Sequence, residues 1–310
     1  MSTYLITGGT GLVGQRLTEM LTAKGHEVIV LTRSLPTTAT QGVSYALWDV
    51  NKQTIDAAAI AKADIIIHLA GAGVADKRWS TARKEEIKNS RTQSSALLVK
   101  ALKETPNKVE AVISASAIGW YGAVPEAVAD KGEFQEDAKA DTEFLGDTCR
   151  LWEESVQPMV TLGKRLVKLR IGIVLSTKGG ALAEFIKPIK LGVAAILGSG
   201  KQYISWIHID DLCRMFIYAS ENKTINGVFN AVAPHPVTNK TLTIQLAKLM
   251  RKQFYIPIPV PAFMLKIIMG EMSIEVLKSA YISCRKIKQS GFTFLFPAIE
   301  SALGNLTGKK

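Results

Sequence analysis

An α/β fold, a parallel sheet wound by helices on both faces, follows from three features of this 310-residue sequence. The N-terminal stretch YLITGGTGLVGQRLTEMLTAKGHEVIVLT runs strand, glycine turn, helix, strand. The run ADIIIHLAGAG is continuously apolar, as a parallel strand must be when helices cover both of its faces. Strand-like and helical stretches then continue to alternate, which is the rhythm of a doubly wound sheet.

In order along the chain, Tyr4-Leu5-Ile6 reads as the first buried strand and Gly8, Gly9, Gly11 and Gly14 as a tight turn. Gln15 to Ala23 follows as an amphipathic helix closed by Gly25, and His26 to Thr32 is a second buried strand. This βαβ unit has the size of a dinucleotide-binding one, and each glycine has a task in it. Gly8 permits the turn, Gly11 lets the backbone approach a pyrophosphate, and Gly14 lets helix and strand pack closely. The helix N-terminus turns free N–H groups toward phosphates, so Thr10, Leu12 and Val13 join the glycines as cofactor-binding candidates. The domain is therefore expected to be Rossmann-like, with a merely tight β–α turn as the plain alternative. Arg33 stands where NAD-selective sites carry a carboxylate for the ribose 2′-hydroxyl. A guanidinium there can pair with a 2′-phosphate, so the expected cofactor is NADP(H); a solvated surface arginine is the alternative.

Ser44 to Trp48 forms a third strand, with Asp49 beyond its end near the adenine edge. The strand within Ala63 to Gly73 ends in small residues that leave room for a dinucleotide, which makes Leu69, Ala70 and Gly71 candidates. A basic segment turns into a long helix through ARKEEIKNSRTQSSALLVKAL; its charges read as a solvated face, with Arg91 directed toward the site. Val109 to Ser114 is a fifth strand leading into SASAIGWYG. Trp206 to Ile209 is expected to return to the sheet, Asp210 or Asp211 to cap the helix LCRMFIYASEN, and GVFNAVA to follow as a strand.

Composition excludes several classes. Cys149, Cys213 and Cys284 are too scattered for a disulfide framework, and the four histidines lack ligand spacing, so no metal is expected. The net charge of +11 favours anionic ligands, yet the basic residues are spread out and form no nucleic-acid module. No apolar run reaches the length of a membrane span and the first strand begins near Met1, so a soluble cytoplasmic protein is expected, without stable membrane insertion. The segment PAFMLKIIMGEM allows peripheral membrane association or, alternatively, core packing of the small lobe. A homodimer is compatible with the sequence.

The glycine loop, the HLAG strand end and SASAIGWYG together resemble the extended short-chain dehydrogenase/reductase family of nucleotide-sugar epimerases and dehydratases. LRIGIVL, GSGKQYISWIHIDDL, ADKRW and VPAFMLKIIMGEMSIEVLKSA narrow the resemblance to an atypical epimerase-like subgroup with a C-terminal domain of unknown function. The resemblance implies a Tyr-x-x-x-Lys pair, whose phenol must titrate well below about 10 to work near neutral pH. This chain has no such pair; Leu145 and Cys149 stand in its place. The resemblance also places Ser116 at the catalytic hydroxyl and Ser114 beside the nicotinamide. Tyr121 is a substitute acid/base candidate or a structural aromatic, and Cys149 a thiol needing activation by Arg91 or Arg150, or else a small buried hydrophobe. The resemblance further implies a nucleotide domain formed by residues 1–171 and 205–233 and a smaller C-terminal substrate-binding lobe formed by 172–204 and 234–310, with a small polar substrate, such as a sugar nucleotide, between them near Tyr121, Gln202 and Trp206. The expected function is an NADP(H)-dependent oxidoreductase or epimerase-like enzyme, with a non-catalytic NADP(H) sensor as the alternative.

Overall fold

The computed structural model describes residues 1–36, 41–123 and 133–308. Its elements in chain order are β1 (Thr3–Thr7), α1 (Leu12–Ala23), β2 (Glu27–Thr32), β3 (Val43–Asp49), β4 (Thr54–Ile55), α2 (Ala57–Lys62), β5 (Ile65–His68), α3 (Thr81–Glu104) and β6 (Ala111–Ala117). There follow α4 (Phe144–Val156), α5 (Pro158–Thr161), β7 (Arg165–Ile171), β8 (Ile173–Leu175), α6 (Ala181–Lys190), β9 (Val193–Leu197), β10 (Tyr203–Ile204), β11 (Trp206–His208), α7 (Ile209–Glu221) and β12 (Gly227–Ala231). The C-terminal part adds β13 (Val237–Thr238), α8 (Asn239–Arg251), β14 (Ile256–Val260), α9 (Ala262–Met269), α10 (Ser273–Leu277), α11 (Arg285–Gln289) and α12 (Ile299–Thr307). Among the described residues, no helix is long and apolar enough to cross a membrane.

The main sheet has the order β12-β7-β6-β5-β1-β2-β3-β4, parallel except for the short β4. Strand order reverses at β1, flanked by β2 on one side and β5 on the other. In such sheets the crevice beyond the carboxyl ends of the strands at the reversal is where ligands bind. One face buries Leu17 and Leu21 of α1 and Leu212, Met215 and Phe216 of α7 against odd-numbered residues of β6. The other buries Leu97, Leu98 and Ala101 of α3 and Val156 of α4. The two faces explain why the central strands lack polar alternation.

Two expectations change. β11 does not enter the main sheet but pairs in parallel with β8, apart from it. The divergence happens at Gly172, whose amide still bonds Ala231 O while the next amide bonds Ser205 O. A Cβ at Gly172 would stand 2.5 Å from Ser205 O, so only glycine lets the strand turn off there. The small lobe gathers Leu182, Ile189, Trp206, Leu242, Leu246 and Leu303 in its own core. The segment expected to belong wholly to it divides, because Ile282, Cys284, Ile287 and Phe292 pack into the main core.

Candidate active site

The glycine turn is built at the strand reversal. Gly8 has φ +69° and lies against β5: a Cβ there would be 2.9 Å from the Leu69 carbonyl carbon. At Gly14 a Cβ would stand 2.4 Å from Gly8 O and 2.5 Å from Gly9 Cα, so helix and turn are in direct backbone contact. Gly11 differs, since apart from its chain neighbours the one atom of the described residues that such a Cβ would meet within 4 Å is Gly8 O, at 3.3 Å. It is also the N-cap of α1, and no side chain caps the first-turn amides. The cradle is thus open where a Cβ would fill it and lined by uncommitted N–H groups, which is the chemistry a diphosphate requires. Thr10 is exposed on the rim, with Leu12 and Val13 half-buried at the helix start.

Thr7 ties the two sides of the crevice. Its Oγ1 accepts the amides of Leu69 (3.0 Å) and Ala70 (3.1 Å) and stands 2.7 Å from His68 Nδ1. With both lone pairs used, the hydroxyl donates its proton to His68 Nδ1, and His68 Nε2–H then donates to Ser95 Oγ at 3.1 Å. His68 is therefore neutral, and burial, with Arg91 adding to it, lowers its pKa to about 3. The exposed Arg33 follows β2 and makes no hydrogen bond or ion pair among the described residues. Asp49 ends β3, where its Oδ1 accepts the amides of Asn51 and Lys52 and closes a turn. Arg91 lies beneath the loop after β5: it donates to Ala72 O (3.1 Å) and Ile87 O (2.8 Å), and its guanidinium is 4.9 Å from the Trp152 ring. A Cβ on Gly71 would be 3.0 Å from Arg91 Cζ, so the arginine supports the loop from behind.

The three catalytic candidates converge on the carboxyl end of β6, but the structure engages each of them elsewhere. Ser116 is buried and donates to Glu153 Oε1 at 2.8 Å. Ser114, also buried, donates to Ala115 O. Tyr121 is fully buried; its hydroxyl donates to Asn230 Oδ1 (2.6 Å) and accepts from Arg170 Nη1 (3.0 Å). Burial outweighs the nearby guanidinium and pushes this phenol up to about 12, opposite to what an acid/base needs. Cys149 is likewise pushed up to about 12 by burial in spite of Arg91, and Arg150 turns away to Asp147 and Glu154. The thiol is a neutral packing group. Leu145 and Cys149 do face the end of β6, since a Cβ at Gly119 would meet Leu145 Cβ at 3.2 Å and Cys149 Sγ at 3.5 Å. The position of the Tyr/Lys pair is thus apolar in space as well as in sequence.

Gln202 and Trp206 do not line an open site. Trp206 is fully buried in the lobe core with Nε1 donating to His235 O, and Gln202 is buried with Nε2 donating to Leu197 O. Sequence reasoning missed the group that occupies the centre instead. Arg170 is 2 % exposed and Glu153 5 %; they pair through Nε–Oε1 (2.7 Å) and Nη2–Oε2 (3.2 Å), with the guanidinium 3.7 Å over the Trp120 ring. The available signal was an acidic residue beside Trp152 in the helix facing β6, and an Arg inside the apolar run LRIGIVL. The C-terminal segment is tied to the N-terminal part of the chain by Lys84 with Glu271 and by Lys278 with Asp141 (3.4 Å), while Lys278 also pairs within its own segment with Glu275 (3.7 Å).

Comparison with known proteins agrees with this geometry. Residues 4–231 match the NAD dependent epimerase/dehydratase family, and residues 260–306 match a domain of unknown function, DUF1731. The epimerase family protein YfhF of Bacillus subtilis is 35% identical over 302 residues, covering 97% of this chain and 96% of that protein. The crystal structure of human epimerase family protein SDR39U1 with NADPH superposes with a TM-score of 0.85 at 27% identity, covering 99% of this chain and 100% of that one. A nucleoside-diphosphate sugar epimerase from Corynebacterium glutamicum gives 0.78 at 30% identity, covering 100% of this chain and 59% of that one. With a glycine cradle at the strand reversal, a C-terminal domain of the matching kind and likeness along the whole chain, the protein belongs to the NAD dependent epimerase/dehydratase family.

Proposed function

We propose that the protein binds NADP(H) across the crevice between β1 and β5 and uses it in an oxidoreductase or epimerase-type reaction on a small polar substrate. The observation that carries this reading is the open, uncapped start of α1 at Gly11 together with Arg33 after β2, which has no hydrogen-bond or ion-pair partner among the described residues. The first-turn amides of Leu12 and Val13 would hold the diphosphate, and Arg33 the 2′-phosphate. NADPH in the human relative supports the choice of cofactor. When bound, the cofactor supplies hydride transfer at the nicotinamide.

The chain's own contribution is to bind, orient and exclude water. Thr7 fixes the spacing of the crevice, Arg91 supports the Gly71–Ala72 loop, and the Lys84–Glu271 and Lys278–Asp141 pairs tie the C-terminal segment to the N-terminal part of the chain. No tyrosine phenol serves as proton donor in this reading. A non-catalytic, NADP(H)-responsive protein is the second reading, favoured by the neutral, buried Tyr121 and Cys149.

Titration with NADPH and NADH, followed by nicotinamide fluorescence, tests the proposal: tighter NADPH binding is expected, and failure of both to bind overturns it. Loss of reduced-nicotinamide absorbance on adding nucleotide sugars or other small carbonyl compounds separates an enzyme from a sensor.

A further inference from the structure

The segment 251–268 is exposed along nearly its whole length although it is apolar. Phe254 is 79% exposed, Ile256 67%, Phe263 65%, Ile267 69% and Ile268 63%, and α9 is anchored by Leu265, its one buried residue. Leu191, 83% exposed, extends the same surface, because the adjoining Gly192 O accepts the Ile256 amide where β14 pairs with β9. Exposed apolar side chains gathered along one stretch of chain in this way mark an interaction site.

Charge selects the occupant. Every charged side chain in residues 185–209 and 222–270 is Lys or Arg. Among these, Lys190, Lys252 and Lys266 adjoin the apolar residues and make no ion pair among the described residues. A second copy of the chain across a two-fold axis would bring these like charges together. Strand addition at β14 is blocked as well: Ile256 directs its amide toward β9, so the outward positions fall on Pro257 and Pro259, which have no N–H to offer. Nucleic acid would match the charge but not the isoleucines.

From this combination we infer that the α9–β14 face docks on an anionic lipid surface, with Phe263, Ile267 and Ile268 entering the boundary between headgroups and acyl chains and the lysines meeting the lipid phosphates. The docking is peripheral, since α9 is only eight residues long.

Co-sedimentation of the full chain with vesicles tests the inference. Pelleting is expected with phosphatidylcholine vesicles containing phosphatidylserine, with much less on phosphatidylcholine alone and a decrease at high salt. The variant Ile267→Asp/Ile268→Asp should lose at least about tenfold in partitioning, and its thermal melt should match the parent's, which shows that it folds. Absence of pelleting on anionic vesicles, or pelleting unchanged by the variant, overturns the inference. So does a variant that changes elution volume on gel filtration while the parent ignores vesicles, because the face would then be a self-association surface. NADPH binding is independent of all these outcomes.

Discussion

Glu153 and Arg170 form a buried ion pair that also satisfies Ser116 and Tyr121, so removing one partner strands charge in a region where water cannot reach it. Glu153→Ala should cost about 3–5 kcal/mol in urea-melt stability; a loss below about 1 kcal/mol would show that the network is not what holds the end of β6 in place. His68 is expected to govern acid stability. Its folded pKa of about 3 lies below the unfolded 6.5, so below pH 6.5 the unfolded chain binds the extra proton and stability falls as pH falls toward 3, whereas above 6.5 the contribution is constant. The slope is about 1.4 kcal/mol per pH unit. His68→Asn should flatten the stability profile between pH 6.5 and 5, and an unchanged slope would contradict the assigned neutral state. Of these residues only Ser116 and Tyr121 stood out in the sequence, because motif position flags a residue while its titration depends on partners far along the chain. Asn230, Glu153 and Arg170 reach Tyr121 and Ser116 only once β12, α4 and β7 are assembled.

The βαβ unit was the most legible part, since its turn chemistry is local. Gly11 and Gly14 distinguish loop stability from ligand access. Gly14→Ala forces a Cβ into backbone at 2.4 Å and should destabilise the protein by several kcal/mol or prevent folding. Gly11→Ala meets Gly8 O at 3.3 Å and, its chain neighbours aside, no closer atom of the described residues; it should fold with a Tm close to the parent's and weaken NADPH binding by about tenfold or more, because its methyl enters the cradle. Equal NADPH affinities would show that the diphosphate passes elsewhere. Capping of α7 was harder to read. Asp210 and Asp211 were the expected caps, yet His208 Nδ1 accepts the Asp210 amide, Asp210 pairs with Arg16, and Asp211 accepts the amides of Leu295 and Phe296. The aspartates are drawn to partners about 84 and 194 residues away in sequence, which local pattern cannot register.

For the whole molecule, the doubly wound sheet was visible in the sequence because strands buried on both faces need unbroken apolar runs. The division of the C-terminal third was not, since both the lobe and the main core draw on similar apolar segments. Which core Ile282 or Trp206 joins is decided by the turn-off at Gly172 and by the return of the tail. The same third leaves α9 and β14 uncovered, a property that composition alone cannot separate from core packing. What unifies the molecule is the crevice at the strand reversal, lined by the uncapped start of α1, with Arg33 following the adjoining β2. The most direct measurement is the ratio of NADPH to NADH affinity in the parent and in Arg33→Asp. One charge-assisted phosphate contact should give the parent a preference of about 10- to 100-fold for NADPH that the variant loses or inverts. Equal affinities for the two cofactors in the parent, or a preference untouched by the substitution, would contradict the account.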